Sequence, residues 1–207
     1  MQTFTECFRT ITEASSTVKI PEETKISRQM GVFYNPRMKS NRDLTIAVLN
    51  AWNRNNLQVA DPFAASGVRS IRLLKELKKE KIEALWINDH NPEAIKQINE
   101  NMKINFPEKS LTNEVSVRIF MKDANIFLLE SHGFDYIDLD PFGPPVAFLD
   151  STCKRIARDG ILAATATDTS ALCGSFPDAC KRKYAATPLR CPIMHELGLR
   201  ILIKKCQ

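Results

Sequence analysis

No stretch of the chain reaches the roughly 18 consecutive apolar residues that a membrane-spanning helix needs. The first residues, Met1-Gln2-Thr3-Phe4-Thr5-Glu6, have neither the basic start nor the apolar run of a secretion signal. Six cysteines stand at 7, 153, 173, 180, 191 and 206, none in a C-x-x-C pair, and there are three histidines. That pattern speaks against a zinc site or a disulfide framework and for reduced, buried thiols in a reducing compartment, the cytoplasm. Glycine is scarce, seven in 207 residues. Where a dinucleotide-binding G-x-G-x-x-G would stand, the chain reads Asp61-Pro62-Phe63-Ala64-Ala65-Ser66-Gly67, and no Walker lysine follows. A diphosphate ligand is therefore disfavoured. Internal repeats and low-complexity tracts are absent as well.

What remains is an ordinary globular composition, 43% hydrophobic and 26% charged. A chain of this length buries about 70% of its unfolded surface and folds without a staple. The net charge of +5 is unevenly placed. Residues 1–149 hold 19 basic and 19 acidic side chains, whereas 150–207 hold 10 and 5. Lys181-Arg182-Lys183-Tyr184 stands out there. Such a cluster attracts phosphates, but four residues alone read better as a solvated helix face.

Residues 1–40 are rich in Thr and Ser, with alternations such as Thr17-Val18-Lys19-Ile20. They read as an N-terminal arm with a hairpin as its candidate form. Residues 41–207 read as the main domain. It opens on a helix in which Asn41 is the candidate cap, Asp43 falls in the first turn, and Leu44, Ala47, Val48 and Ala51 mark the inward face. Strands are expected at 58–60, 84–87, 115–120, 134–139 and 161–167. Helices are expected at 66–80, 92–105, 124–130, 146–157 and 195–204, with the rest of the tail as loop. Alternating strands and helices imply an α/β fold with a parallel sheet. The expected order of these five strands is 3-2-1-4-5, which leaves the fifth as an open edge.

Ligands of such sheets bind beyond the carboxyl ends of the strands. Four expected strands end at or near an acid: Asp61, Asp89, Asp123 and Asp140. One such acid is a common helix cap. Four in succession crowd negative charge on one edge unless a ligand, arginines or solvent offsets it. A ligand rich in hydroxyls and amines and free of phosphate suits them, and S-adenosylmethionine fits. Asp89 is placed for a ribose diol, and Asp123 with the backbone of Ala124 for adenine. Kinase readings fail: Pro141 interrupts a D-F-G match in Asp140-Pro141-Phe142-Gly143, and Val48 replaces the metal-binding Asn after Asn41-Arg42-Asp43-Leu44.

Asp61-Pro62-Phe63-Ala64-Ala65-Ser66-Gly67-Val68-Arg69, Asp140-Pro141-Phe142-Gly143, and Thr165-Ala166-Thr167-Asp168-Thr169 with Leu172-Cys173-Gly174 resemble the tRNA guanine-26 N2-dimethyltransferase family of archaeal type. Phe33-Tyr34-Asn35-Pro36-Arg37-Met38 with Asn41-Arg42-Asp43 is similar to its N-terminal signature. Lys183-Tyr184, His195-Glu196 and Gly198-Leu199-Arg200-Ile201-Leu202 extend the resemblance over nearly the whole chain, in order. It implies a class I methyltransferase fold, S-adenosylmethionine as cofactor and tRNA as partner. It implies Arg42, Asp61, Gly67, Arg69, Asp89, Asp123 and Ala124 as cofactor residues. Asp140 resembles the catalytic acid, helped by Pro141. Phe142 resembles the aromatic against the target guanine, with Phe33 as the candidate for its other face.

Two departures qualify the resemblance. Pro144 stands where the family usually has serine. Family members also continue well past residue 207, so the chain is expected to be truncated after about five strands. A missing C-terminal domain, or a separate chain supplying it, is then expected to hold tRNA. Two other readings remain open: an exocyclic-amine methyltransferase acting on another RNA or DNA, and an inactive fragment that still binds the cofactor.

Overall fold

Alternation at period two builds the first pair of elements. β1 (Phe8–Glu13) and β2 (Ser16–Pro21) form an antiparallel hairpin in which Glu13 faces Ser16. The structure is a computed structural model that describes residues 8–22, 32–107 and 115–207. Cys7 and Gly31 fall outside that range. In β2, Val18 and Ile20 are buried on either side of the exposed Lys19, and they pack on Val68 and Ile71. The outer edge of β2 is covered in an unusual way. Asn101 accepts from the Lys19 N–H at 2.8 Å and donates to the Lys19 carbonyl at 3.1 Å. Asn105 does the same for Thr17, at 3.0 and 2.6 Å. Two amides one helical turn apart thus replace a neighbouring strand, because a side-chain amide offers the same donor and acceptor as a peptide. The hairpin is docked against the main body rather than hanging from it.

The central sheet holds β3 (Leu57–Asp61), β4 (Ile82–Asn88), β5 (Ser116–Phe120), β6 (Phe134–Leu139) and β7 (Ile156–Ala164). All pairs are parallel, and the order is β5-β4-β3-β6-β7. Once the hairpin strands are counted first, this is the expected 3-2-1-4-5. Around it lie α1 (Lys39–Ala51), α2 (Val68–Glu76), α3 (Pro92–Asn105), α4 (Ala124–Leu129), α5 (Val146–Cys153), α6 (Pro177–Tyr184) and α7 (Met194–Cys206). One sheet face is sealed by Leu73, Leu85, Ile87, Ile98 and Tyr136. The other carries an aromatic layer of Trp86, Phe120, Phe127 and Phe134. The strand order reverses between β3 and β6, so a crevice opens at their carboxyl ends, where Asp61 and Asp140 stand.

Five sequence expectations shift. In α1 the Leu44–Val48 stripe faces outward, with Leu44 62% and Val48 38% exposed. The inward face is Arg42, Thr45 and Leu49, the same period turned by roughly one residue. Polar contacts of Arg42 and Thr45 set that rotation. Asn41 does not cap α1: Met38 is the N-cap residue, and the Asn41 side chain accepts from Arg69 instead. α2 is shorter than 66–80, and β7 starts earlier and ends earlier than 161–167. A helix, α6, occupies part of the tail read as loop; Pro177 at its first turn was its signal.

Gly67 sits at φ +75°, just before α2. A Cβ there would lie 3.3 Å from Cγ1 of Ile98. Gly67→Ala is expected to lower stability by about 1–2 kcal/mol, the cost of a left-handed non-glycine residue. A urea-unfolding midpoint checks it; an unchanged midpoint would contradict the strain argument.

Candidate active site

The turn after β3 passes through Ala64, Ala65 and Ser66, whose small side chains leave a cleft beside the sheet edge. Asn88, fully buried at the end of β4, stitches this turn to the next. Its side chain donates to the Pro62 and Lys122 carbonyls at 3.1 Å each, and its own carbonyl accepts from Ala64 at 3.0 Å. The cleft is lined by Phe33, Tyr34, Arg42, Asp61, Arg69 and Asp140.

Arg69 is the centre of the acid cluster. It donates to Asp138 at 2.9 Å, Asp140 at 3.0 Å, Asn41 at 2.8 Å and Thr45 at 3.1 Å. Tyr136 donates its phenolic hydrogen to Asp138 at 2.7 Å. The arginine therefore grips the acid following β6 from behind. Burial pushes the Asp140 carboxyl up, and Arg69 opposes that push. The side chain of Asp140 keeps 22% exposure, open to the cleft.

Asp61 is enclosed and accepts from the Ser70 hydroxyl at 2.7 Å. Burial pushes its carboxyl up to about 7, against the Arg69 charge and with the help of Asp138 and Asp140. Its ordinary value is 3.8, so between there and about 7 the native chain holds a proton that the unfolded chain has released. The stabilisation linked to this group is complete below the unfolded value and is lost as pH rises towards 7. Asp61→Asn keeps an acceptor for Ser70 and is expected to flatten the fall in stability between pH 5 and 7. Urea melts at both pH values check this; an unchanged slope would sink it.

Asp89 lies next to the cleft, not in its wall. It accepts from Ala65 N–H at 2.9 Å and Asn91 N–H at 2.9 Å, and so braces the turn. Each carboxylate oxygen retains a lone pair for a hydroxyl. Asp123 caps α4 by accepting from Asn125 and Ile126, and Ala124 is the buried first residue of that helix. Neither lines the cleft. Gly67 shapes the turn from behind. Phe142 is 48% exposed at the mouth, edge-on to Phe33 with centroids 5.5 Å apart. Gly143 exchanges hydrogen bonds with Thr167, which fixes the loop after Pro141 to the segment that follows β7.

The structure adds residues that sequence reasoning passed over: Asp138, Tyr136, Thr45, Tyr34 and Glu13. Tyr136, Asp138 and Asp140 share one face at period two, and that polar alternation in a buried strand was the available signal. Cys173 and Cys180 are buried thiols, while Cys153 is exposed. Cys173 lies 3.3 Å from Nδ1 of His195 and packs in the α6–α7 region.

The cleft has acids and two guanidinium groups but no glycine-rich phosphate cradle. That donor set fits a cationic, hydroxyl-bearing ligand with one carboxylate, as S-adenosylmethionine is. Strand order and crevice define the class: the Rossmann-like fold of S-adenosylmethionine-dependent methyltransferases. A Trm1 structure from Pyrococcus horikoshii, determined with S-adenosyl-L-methionine, matches at TM-score 0.85 and 38% identity, over 96% of this chain and 53% of that one. Residues 14–207 match the family model described as N2,N2-dimethylguanosine tRNA methyltransferase, and the chain belongs to that family. A tRNA (guanine(26)-N(2))-dimethyltransferase of Methanothermobacter thermautotrophicus is 43% identical over 93% of this chain and 49% of its own length. The Aquifex aeolicus tRNA (guanine(26)-N(2)/guanine(27)-N(2))-dimethyltransferase is 44% identical over 94% and 50%. The chain spans about half the length of the curated relatives it matches. Among the described residues, no helix is long and apolar enough to cross a membrane and no cluster of acids, histidines and cysteines has metal-binding geometry.

Proposed function

We propose that this chain carries the catalytic half of a tRNA (guanine-N2)-methyltransferase that uses S-adenosylmethionine and acts on guanine 26, adding one and then a second methyl group. The observation that carries the reading is Asp140, held by Arg69 at the cleft wall, with Phe142 at the mouth. When bound, S-adenosylmethionine supplies a methyl group made electrophilic by its sulfonium. Arg42, Asp61, Arg69, Asp89, Asp123 and Ala124 are the residues proposed to hold it, with Gly67 shaping the turn that approaches it.

The chain's own residues prepare the nucleophile. A guanine exocyclic amine is weakly nucleophilic because its lone pair is delocalised into the ring. The Asp140 carboxylate and the Pro141 carbonyl accept its two N–H bonds, which orients the nitrogen and concentrates its lone pair. Burial raises the Asp140 carboxyl, and the Arg69 contact at 3.0 Å opposes that rise and favours the carboxylate. The nitrogen loses its proton readily once methylated, so Asp140 need not be a strong base. The base must leave the RNA stack to arrive, and Phe142 holds its face, with Phe33 beside it. Phe142→Ala is expected to weaken the use of tRNA by about 1–3 kcal/mol, roughly 5- to 150-fold in KM, the worth of one base–aromatic stack. An unchanged KM for tRNA would remove Phe142 from the role.

tRNA is gripped by more than this chain, in the same proposal: a C-terminal domain or a separate chain completes the platform. Among the described residues β7 pairs with β6 alone, and Leu199 and Ile203 of α7 are about half exposed, which supports an unfilled neighbour. The deciding experiment is transfer of labelled methyl to tRNA transcripts, followed by nucleoside analysis. Label in N2-methyl- or N2,N2-dimethylguanosine that disappears when guanine 26 is replaced supports the reading. Label in another base or at another position overturns the substrate assignment. Cofactor binding without transfer would mean that the site is present and the RNA grip is not.

A further inference from the structure

We propose that Glu13, on the N-terminal hairpin, is a positioning residue for the cofactor cleft: it holds Arg42 and Tyr34 in the cleft wall. This rests on the S-adenosylmethionine reading above and extends it to a segment outside the sheet. Glu13 ends β1 and is 3% exposed. Its Oε1 accepts from Arg42 Nε at 2.7 Å and from Arg72 at 3.0 Å. Its Oε2 accepts from Arg42 Nη2 at 2.5 Å and from the Tyr34 hydroxyl at 2.9 Å. Four donors on one carboxylate leave it no other task.

The paired contact fixes the plane of the Arg42 guanidinium, as a carboxylate fork does. The second contact of Nη2 is the Asn35 carbonyl at 3.3 Å, and the Tyr34 ring lies 5.4 Å from the guanidinium carbon. Nη1 of Arg42 has no partner among the described residues. Arg42 is buried yet lines the cleft, so that edge of the fork is what it offers a ligand. The single anionic group of S-adenosylmethionine is its carboxylate, the group a preoriented guanidinium takes. Orientation settled before binding lowers the ordering cost of the bound state.

The two arginines differ in what else they hold. Arg72 also pairs with Asp43 at 2.6 Å and Glu76 at 2.8 Å. Arg42 has Glu13 as its only carboxylate partner within 4 Å among the described residues. Loss of the Glu13 charge therefore frees Arg42 and leaves Arg72 largely in place. Glu76 belongs to the same ionic network but does not touch Arg42. It serves as the matched structural control.

The test is calorimetric titration of S-adenosylmethionine into the wild type, Glu13→Gln, Glu76→Gln and Tyr34→Phe, with unfolding midpoints and steady-state methyl transfer for each. Glu13→Gln is expected to weaken binding at least tenfold and raise KM for the cofactor in step, with kcat at saturation within about threefold of wild type. Glu76→Gln is expected to lower the midpoint yet bind within twofold of wild type. Tyr34→Phe removes one hydrogen bond of the clamp and is expected to bind about threefold more weakly. A folded Glu13→Gln that binds like wild type overturns the inference. So does equal weakening in Glu13→Gln and Glu76→Gln, which would be a stability effect. If Glu13→Gln does not fold, wild-type binding by Tyr34→Phe overturns it. If the wild type binds no S-adenosylmethionine, the function reading falls first and this inference falls with it.

Discussion

Asp140→Asn is expected to cut methyl transfer to tRNA by about 10²- to 10⁴-fold, the range for a positioned proton acceptor, with cofactor binding kept within a few fold. The variant preserves shape, so the argument is one of charge. Asp140 has one oxygen on Arg69, and its half-buried carboxylate opens to the cleft. As an amide it still accepts one hydrogen bond, but it loses the negative charge that draws density onto the target nitrogen. The wild-type pH profile should show the same group. Burial raises the Asp140 carboxyl above its ordinary value of 3.8, with Arg69 limiting the rise. Transfer should therefore fail as pH falls through that raised value, because the protonated acid donates where it must accept. Loss of cofactor binding in Asp140→Asn would reassign the residue to the cofactor. Full activity would remove it from the chemistry.

Arg69→Met is expected to destabilise the fold by about 3–5 kcal/mol near neutral pH, the cost of leaving a buried charge uncompensated. Arg69 is the cation for Asp138 and Asp140 and neighbours Asp61. Asp138 is 1% exposed, and its second oxygen, Oδ1, already has no hydrogen-bond partner among the described residues. Burial raises the carboxyls of Asp61 and Asp138 even with the arginine present, and the Arg69 charge opposes that rise. Without it both rise further. A carboxyl raised in the native state stabilises at low pH and loses that contribution as pH climbs through its native value. The gap between variant and wild type should thus widen from pH 5 to pH 7. Urea melts at the two pH values read this directly; an equal gap at both would show that Arg69 acts through packing and not through charge.

The two predictions differ in how much of their basis was legible in the chain. Asp140 announced itself, because it follows a β-patterned run and precedes Pro141-Phe142-Gly143. The partner Arg69 was visible at the start of the helix after β3, but its hold on Asp140 spans 71 positions. Asp138 was hidden. In a strand buried on both faces, an acid reads as an irregularity until a cation is found opposite it. Glu13 was hidden for the same reason: its tie to Arg42 crosses 29 positions and two elements. The α1 face was misread because apolar spacing alone ranks Leu44 and Val48 above Arg42 and Thr45 for burial. The ion pair of Arg42 and the hydroxyl contacts of Thr45 with Arg69 and Tyr136 outweighed that ranking.

Local pattern was enough for the alternation of strands and helices, the parallel pairing of the strands and the row of acids at the sheet edge. These follow from periodicity and from the short reach of turns, and both are written in neighbouring residues. Which acid is gripped, which arginine faces the cleft, and how the hairpin joins the site were settled by contacts between distant segments. A charge buried in low dielectric is stable only beside a partner. Such a partner is chosen by the packing of the whole molecule, not by any stretch of the chain.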